Sequence, residues 1–192
     1  MNLIVEFILK YVKKYNSVSE SEEEIYRYGI DIVVYTVLST LGLLVIGLCW
    51  GRLSETALIV SIYYLNQTIG GGYHARSHIG CFLSMALSLV VMLFLIDLKL
   101  PLVIYVAVGI ISVIFLYFCP VILHPNKAYL NSKRPQLEKR KKTAVAIETL
   151  IGIPLYFTAF FPAYFLGLAG CVLSKLYATQ KTIRQSKGII PS

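Results

Sequence analysis

The sequence predicts an all-α, polytopic helical membrane protein, with about six transmembrane helices preceded by an N-terminal amphipathic interfacial helix. Three observations carry that expectation. Apolar residues make up 57% of the 192-residue chain and charged residues only 15%, against roughly 45–50% and 25% in soluble domains. Too few polar groups remain to cover a soluble surface of this size, and the mean hydropathy of +0.70 agrees. Uncharged stretches run over residues 32–51, 79–96, 100–123 and 149–174. Each reaches the ~18 residues that mark a transmembrane helix candidate. The third observation is where the charge sits. The formal net charge is +8, yet the basic residues lie between and after the apolar stretches, as a topology signal does. No aromatic-interleaved basic patch marks a nucleic-acid partner.

Residues 1–30 read as an interfacial segment. Leu3, Ile4, Phe7, Ile8, Tyr11, Val12 and Tyr15 recur at helical spacing opposite Glu6, Lys10, Lys13 and Lys14, the pattern of a helix lying on a bilayer surface. No apolar core followed by a small-residue cleavage site is present there, so a cleaved signal peptide is not expected. Ser19 with Glu22, or Ser21 with Glu24, offers a capping box for the helix that leads into the first span.

The spans then follow in order. Residues 32–51 form the first; residues 53–69, shorter and containing Glu55 with Asn66 and Gln67 near the end, form the second. Residues 79–96 and 100–123 form the third and fourth. Residues 144–174 are too many for one upright helix, and a hairpin broken near Phe161 and Pro162 is expected, since proline suits a first helical turn. Seven basic residues fall in 127–142 with only Glu138 opposing, and Lys175, Lys181, Arg184 and Lys187 follow the last apolar stretch. Both segments are therefore expected on the cytoplasmic side. Counting back through the spans puts both termini and residues 70–80 there too. The chain is expected to be one membrane-embedded domain over 1–192, with a basic cytoplasmic loop at 124–143.

The segment with most chemistry is 70–81, Gly-Gly-Gly-Tyr-His-Ala-Arg-Ser-His-Ile-Gly-Cys. Three successive glycines each cost a helix roughly 1 kcal/mol relative to alanine, so they mark a bend or a close backbone approach. Ionisable groups at a membrane boundary are usually functional. Two chemistries fit. Cys81 can act as a nucleophile with a histidine as base, since an imidazole and a helix N-terminus both favour a thiolate. Alternatively His74, His78 and Cys81, at i, i+4 and i+7 of a continuous helix, can ligate a metal in a metal-dependent membrane enzyme or transporter. On a continuous helix His74 and Cys81 would stand about 10 Å apart along the axis, so their pairing requires a break at the glycines. His78, three residues from Cys81, could reach it on an unbroken helix.

The Gly-Gly-Tyr-His run with a cysteine seven residues after the histidine, in a polytopic chain of this length, resembles the accessory gene regulator B family. The resemblance extends to the amphipathic N-terminal segment and to the loop containing Pro120, Pro125, Asn126 and Lys127. It implies a cysteine endopeptidase of a Gram-positive cell membrane that cleaves the C-terminal part of a quorum-sensing propeptide. It further implies a Cys81 thioester that cyclises to a thiolactone or lactone signal. By it, His74 is the general base and Cys81 the nucleophile, Gly72 shapes the loop, and no cofactor or metal is needed. A basic residue common in the family before the motif is replaced by Gln67, with Arg76 a substitute. Asn66 and Gln67 become candidates for polarising an oxyanion or orienting His74. Lys127, Lys133 and Arg134 are candidate contacts for acidic propeptide residues. A homodimer in the lipid bilayer is implied by the resemblance. The small-residue stripe Ala159, Ala163, Gly167 and Cys171 permits close helix approach. Glu148, inside the fifth span, has no partner that the sequence identifies.

Overall fold

The computed structural model describes residues 2–15, 20–72, 77–122 and 132–186. Within them the chain is all-helical: α1 (Asn2–Tyr15), α2 (Glu20–Cys49), α3 (Leu53–Gly70), α4 (His78–Asp97), α5 (Leu102–Phe118), α6 (Arg134–Leu155) and α7 (Phe161–Ser186). Glu22–Cys49 in α2, all of α4 and Phe161–Gln180 in α7 are each long and apolar enough to cross a membrane. That is three helices where about six spans were expected. α5 is apolar throughout but has 17 residues. Glu55, Asn66 and Gln67 lower the hydropathy of α3, and the first half of α6 is basic.

Polar residues account for the difference in two ways: Asn66 of α3 and Glu148 of α6 are buried against each other, while Arg134, Lys139, Arg140 and Lys142 make the first half of α6 an exposed basic segment. The Asn66 amide donates to both carboxylate oxygens of Glu148, at 3.0 and 3.1 Å, and to the Ile62 carbonyl at 3.1 Å. Buried polar groups are tolerated when they are hydrogen-bonded to one another. α3 and α7 form the centre of the bundle. α7 packs on α3 and α5, and α3 also meets α2, α4 and α6. One core gathers Leu43, Ile59, Leu89, Leu93, Tyr105, Phe161 and Leu166; a second gathers Ile62, Leu116, Val145, Tyr164, Leu168 and Cys171. Ala163 and Cys171 are buried, and a side chain on Gly167 would meet Ile59 and Ile62. Ala163, Gly167 and Cys171 are thus spent on internal packing, whereas Ala159 is exposed in the turn before α7.

The break expected in 144–174 is present. α6 ends at Leu155, just after Pro154, and α7 starts at Phe161 with Pro162 in its first turn, where a missing N–H costs nothing. α1 docks on α2 through Val5 and Leu9, both buried, and through the ion pairs of Glu6 with Arg27 and Lys13 with Glu23. The expected apolar stripe is therefore not the docking face: Ile4, Phe7 and Tyr11 remain exposed, as a surface for lipid requires.

Two ends of the bundle can be distinguished. At one, Asp97 accepts from Trp50 at 2.7 Å and pairs with Arg52 at 2.9 Å, while Arg52 also pairs with Glu55 at 2.8 Å. At the other, the end of α3 meets the residues after α5 and the middle of α7 through Gly70, Ile122 and Lys175, and the start of α4 meets α2 through His78. The glycine segment lies at this second end.

Candidate active site

The bend is built by close approach. α3 stops at Gly70, whose carbonyl accepts from the Lys175 ammonium at 2.8 Å and from the Ile122 N–H at 3.1 Å. Gly71 follows with φ +66°, and its N–H donates to the Gln67 carbonyl at 3.1 Å. A Cβ there would sit 2.0 Å from the Ile122 carbonyl oxygen, so both the left-handed backbone and the space demand glycine. At Gly72 a Cβ would fall 2.2 Å from Gln67 Oε1. The expected loop-shaping role of Gly72 corresponds here to room for that side chain.

Lys175 was counted above among the tail cations. It is instead 2% exposed, on the same face of α7 as Tyr164, Leu168, Cys171 and Ala178. Its ammonium serves the buried carbonyl end of α3, where a cation is favoured. Lys141 does the same for α5: it donates to the Cys119 carbonyl and pairs with Glu138 at 2.9 Å. Burial raises the Glu138 pKa, but the Val121 N–H and the Lys141 ammonium outweigh it and hold the carboxyl below its ordinary range.

The helix that carries Cys81 begins at His78. Ser77 is its cap, in extended conformation, and its hydroxyl accepts from Gly80 N–H at 3.1 Å, as a capping serine does. Cys81 is in the first turn, its N–H donating to the Ser77 carbonyl at 3.0 Å, and the residue is half-buried. Gly80 is helical, so the break lies before α4 rather than within it. The continuous helix that would align His74, His78 and Cys81 for a metal is not formed, because Ser77 is extended. Among the described residues no group of three His, Cys, Asp or Glu side chains stands close enough to hold a metal.

His78 is turned to α2. Its Nε2 lies 2.8 Å from Asp31 Oδ2, and its ring is 4.5 Å from that of Tyr35. Spacing alone would have let it serve Cys81; tertiary contacts hold it elsewhere. One turn further along, Tyr35 of α2, with Ser39 beside it, lies near Cys81, and Tyr63 of α3 lies on the other side at longer range. Gln67 Nε2 donates to Tyr63 at 2.8 Å and to Ser174 at 2.7 Å. Its Oε1 is buried without a hydrogen bond among the described residues. Asn66 has spent its amide on Glu148, away from the loop.

Cys81, Gln67 and Gly72 are thus brought to one end of the bundle. His74, Arg76 and Lys127 lie outside the described residues. Lys133 and Arg134 are exposed where α6 begins, next to an open groove of about 440 Å³ lined by Gln136, Lys139, Arg140, Thr143, Ala144 and Ile147. Sequence reasoning missed Asp31, Tyr35, Lys141 and the role of Lys175. For Lys175 a signal existed: the buried 3-4 spacing of 164, 168 and 171 continues to 175.

A family model described as accessory gene regulator B matches residues 5–178. No curated protein and no solved structure gives a match. The chain, matched over nearly its whole length and carrying the glycine bend and cysteine helix just described, belongs to the accessory gene regulator B family, which acts in the processing of quorum-sensing propeptides.

Proposed function

We propose that this protein is a membrane cysteine endopeptidase that cleaves the propeptide and passes it to a cyclised product. The observation that carries the reading is the position of Cys81. It stands in the first turn of α4, directly beyond a clamped glycine bend, with polar groups from α2 and α3 around it. Here the Cys81 thiol gives its proton to His74 and Sγ bonds to a propeptide carbonyl carbon. Collapse of the tetrahedral species breaks the C–N bond, and the departing amine takes the proton from His74. The peptide is left as a thioester on Cys81. An internal cysteine or serine of the peptide then displaces Sγ and closes a thiolactone or lactone.

Gln67 orients His74 in this scheme. Its amide nitrogen is fixed by Tyr63 and Ser174, and its free Oε1 lies against Gly72, two residues before the histidine. Below Cys81 the helices close on a mostly apolar lining, Leu43, Ile59, Val60, Met85, Leu89 and Met92 with Tyr63 and Ser88 among them, and only about 20 Å³ is left between them. An apolar floor of this kind keeps water from the thioester. Lys133 and Arg134 attract acidic residues of the propeptide.

We further infer that α2 to α7 cross the bilayer together, with the site end cytoplasmic. The hydrogen bonds between Asn66 and Glu148 shield the polar residues of α3 and α6 from lipid, and the basic residues gather at that end.

The test is incubation of the purified protein in liposomes with the propeptide encoded beside it, followed by mass spectrometry. A peptide adduct on Cys81 is expected, and Cys81→Ala and His74→Ala should each abolish cleavage. Unchanged cleavage by Cys81→Ala would refute the assignment.

A further inference from the structure

Two tyrosines lie near Cys81, one from α2 and one from α3. Their states differ. Tyr63 donates to Ser174 Oγ at 3.3 Å and accepts from Gln67 at 2.8 Å, so its proton is committed. Tyr35 Oη is buried and has no hydrogen-bond partner among the described residues. Ser39 and Cys81 stand near enough to it to be hydrogen-bonding neighbours and Tyr64 lies further off, but none meets it with the distance and angle of a formed bond.

Such a group is costly. A buried hydroxyl without a partner forfeits the hydrogen bonds that water gave it, and an orphan in a folded protein calls for a reason. Packing fixes it where it stands. The Tyr35 ring lies against His78, which is held in turn by Asp31. Further along the same pair of helices, Phe82 fills the space beside Gly42, where a Cβ would approach its ring at 2.9 Å. Contacts at His78 and Phe82, on both sides of Cys81, therefore hold α2 against α4, with Tyr35 on the face of α2 that meets the turn carrying Cys81. The hydroxyl is preorganised and its proton is unspent.

Acyl transfer at Cys81 needs a donor of this kind. As Sγ bonds to the carbonyl carbon, the carbonyl electron pair moves onto oxygen. An oxyanion in a water-poor site gains most from a donor that is already oriented. Asn66, a candidate for this task from the sequence, has its amide committed to Glu148 and Ile62.

We propose that Tyr35 is a further catalytic residue, donating a hydrogen bond to the oxyanion formed when Cys81 attacks the propeptide. The proton stays on Tyr35 throughout. The pair returns from oxygen to carbon as the C–N bond breaks, and the same hydroxyl serves the second tetrahedral species when the ring closes. The proposal rests on the peptidase reading of Cys81.

Tyr35→Phe is the test, since it keeps the ring against His78 and removes only the hydroxyl. In liposomes with the propeptide, kcat is expected to fall by about 10²- to 10³-fold, as on loss of one oxyanion donor, with KM little changed. Alkylation of Cys81 by iodoacetamide passes through no oxyanion and should keep the wild-type rate; a variant with a damaged site would lose that too. Wild-type kcat in Tyr35→Phe would overturn the proposal. So would an equal loss in cleavage and alkylation, because the hydroxyl would then act on the thiol or the fold. Cys81→Ala is run alongside: cleavage persisting there sinks the peptidase reading itself, whereas its loss beside a normal Tyr35→Phe sinks only the role of Tyr35.

Discussion

Lys175, on α7, donates to the carbonyl oxygen of Gly70, the last residue of α3, over 2.8 Å. A side chain 105 positions away in sequence thereby fixes the point where the site loop leaves its helix. Lys175→Met keeps most of the packing and removes the donor. It should lower thermal stability by about 1–3 kcal/mol, the cost of a buried acceptor losing a partner, and slow propeptide cleavage. Calorimetry in detergent and the cleavage rate check both effects. Gly70→Ala should be damaging with Lys175 present, because its Cβ would fall 2.4 Å from Nζ, and less so in combination with Lys175→Ala.

Gly71→Ala tests the bend more severely. The new Cβ would require a backbone with φ +66° and would sit 2.0 Å from the Ile122 carbonyl. A left-handed conformation costs a non-glycine residue about 1–2 kcal/mol before any clash. The expected outcome is loss of cleavage with the protein still inserted and helical, read by circular dichroism and the liposome assay.

His78→Ala should retain substantial cleavage. Its imidazole is engaged with Asp31 and Tyr35, and its partly exposed contact with Asp31 contributes about 0–1 kcal/mol. If His78→Ala is inactive while His74→Ala cleaves normally, the base assignment is reversed.

Glu138 gives a pH dependence of defined sign. Its folded-state pKa lies below the ordinary 4.5, so the charged form is the one that stabilises the fold. That stabilisation is fully present above 4.5 and is lost as pH falls through the lowered value. Thermal unfolding followed from neutral pH into acid should show a steeper loss for wild type than for Glu138→Gln.

The membrane-facing helices were legible because a lipid environment imposes continuous apolar runs: α2, α4 and α5 fall within or overlap the uncharged stretches, and Pro162 marks the start of α7. The site was legible in one dimension only. Gly70 to Gly72 announced a bend, and Cys81 the head of a helix. His78 shows the limit, since its i+3 spacing to Cys81 suggested a pairing that Asp31, from another helix, takes instead. Lys175 shows another: its 3-4 spacing with 164, 168 and 171 signals burial, but its partner is the Gly70 carbonyl, which no residue pattern encodes.

The sequence by itself determined the all-α class, the membrane environment, the glycine bend and the placing of a cysteine at a helix start. These follow from composition, hydropathy runs and local backbone preference, which neighbouring residues fix. Tertiary structure alone decided that Asn66 meets Glu148, that Lys175 holds Gly70, and that His78 turns to Asp31 and Tyr35 rather than to Cys81. The reason is physical. Which buried polar group meets which depends on helices crossing at one level, and that is settled by packing across the bundle rather than by spacing along the chain.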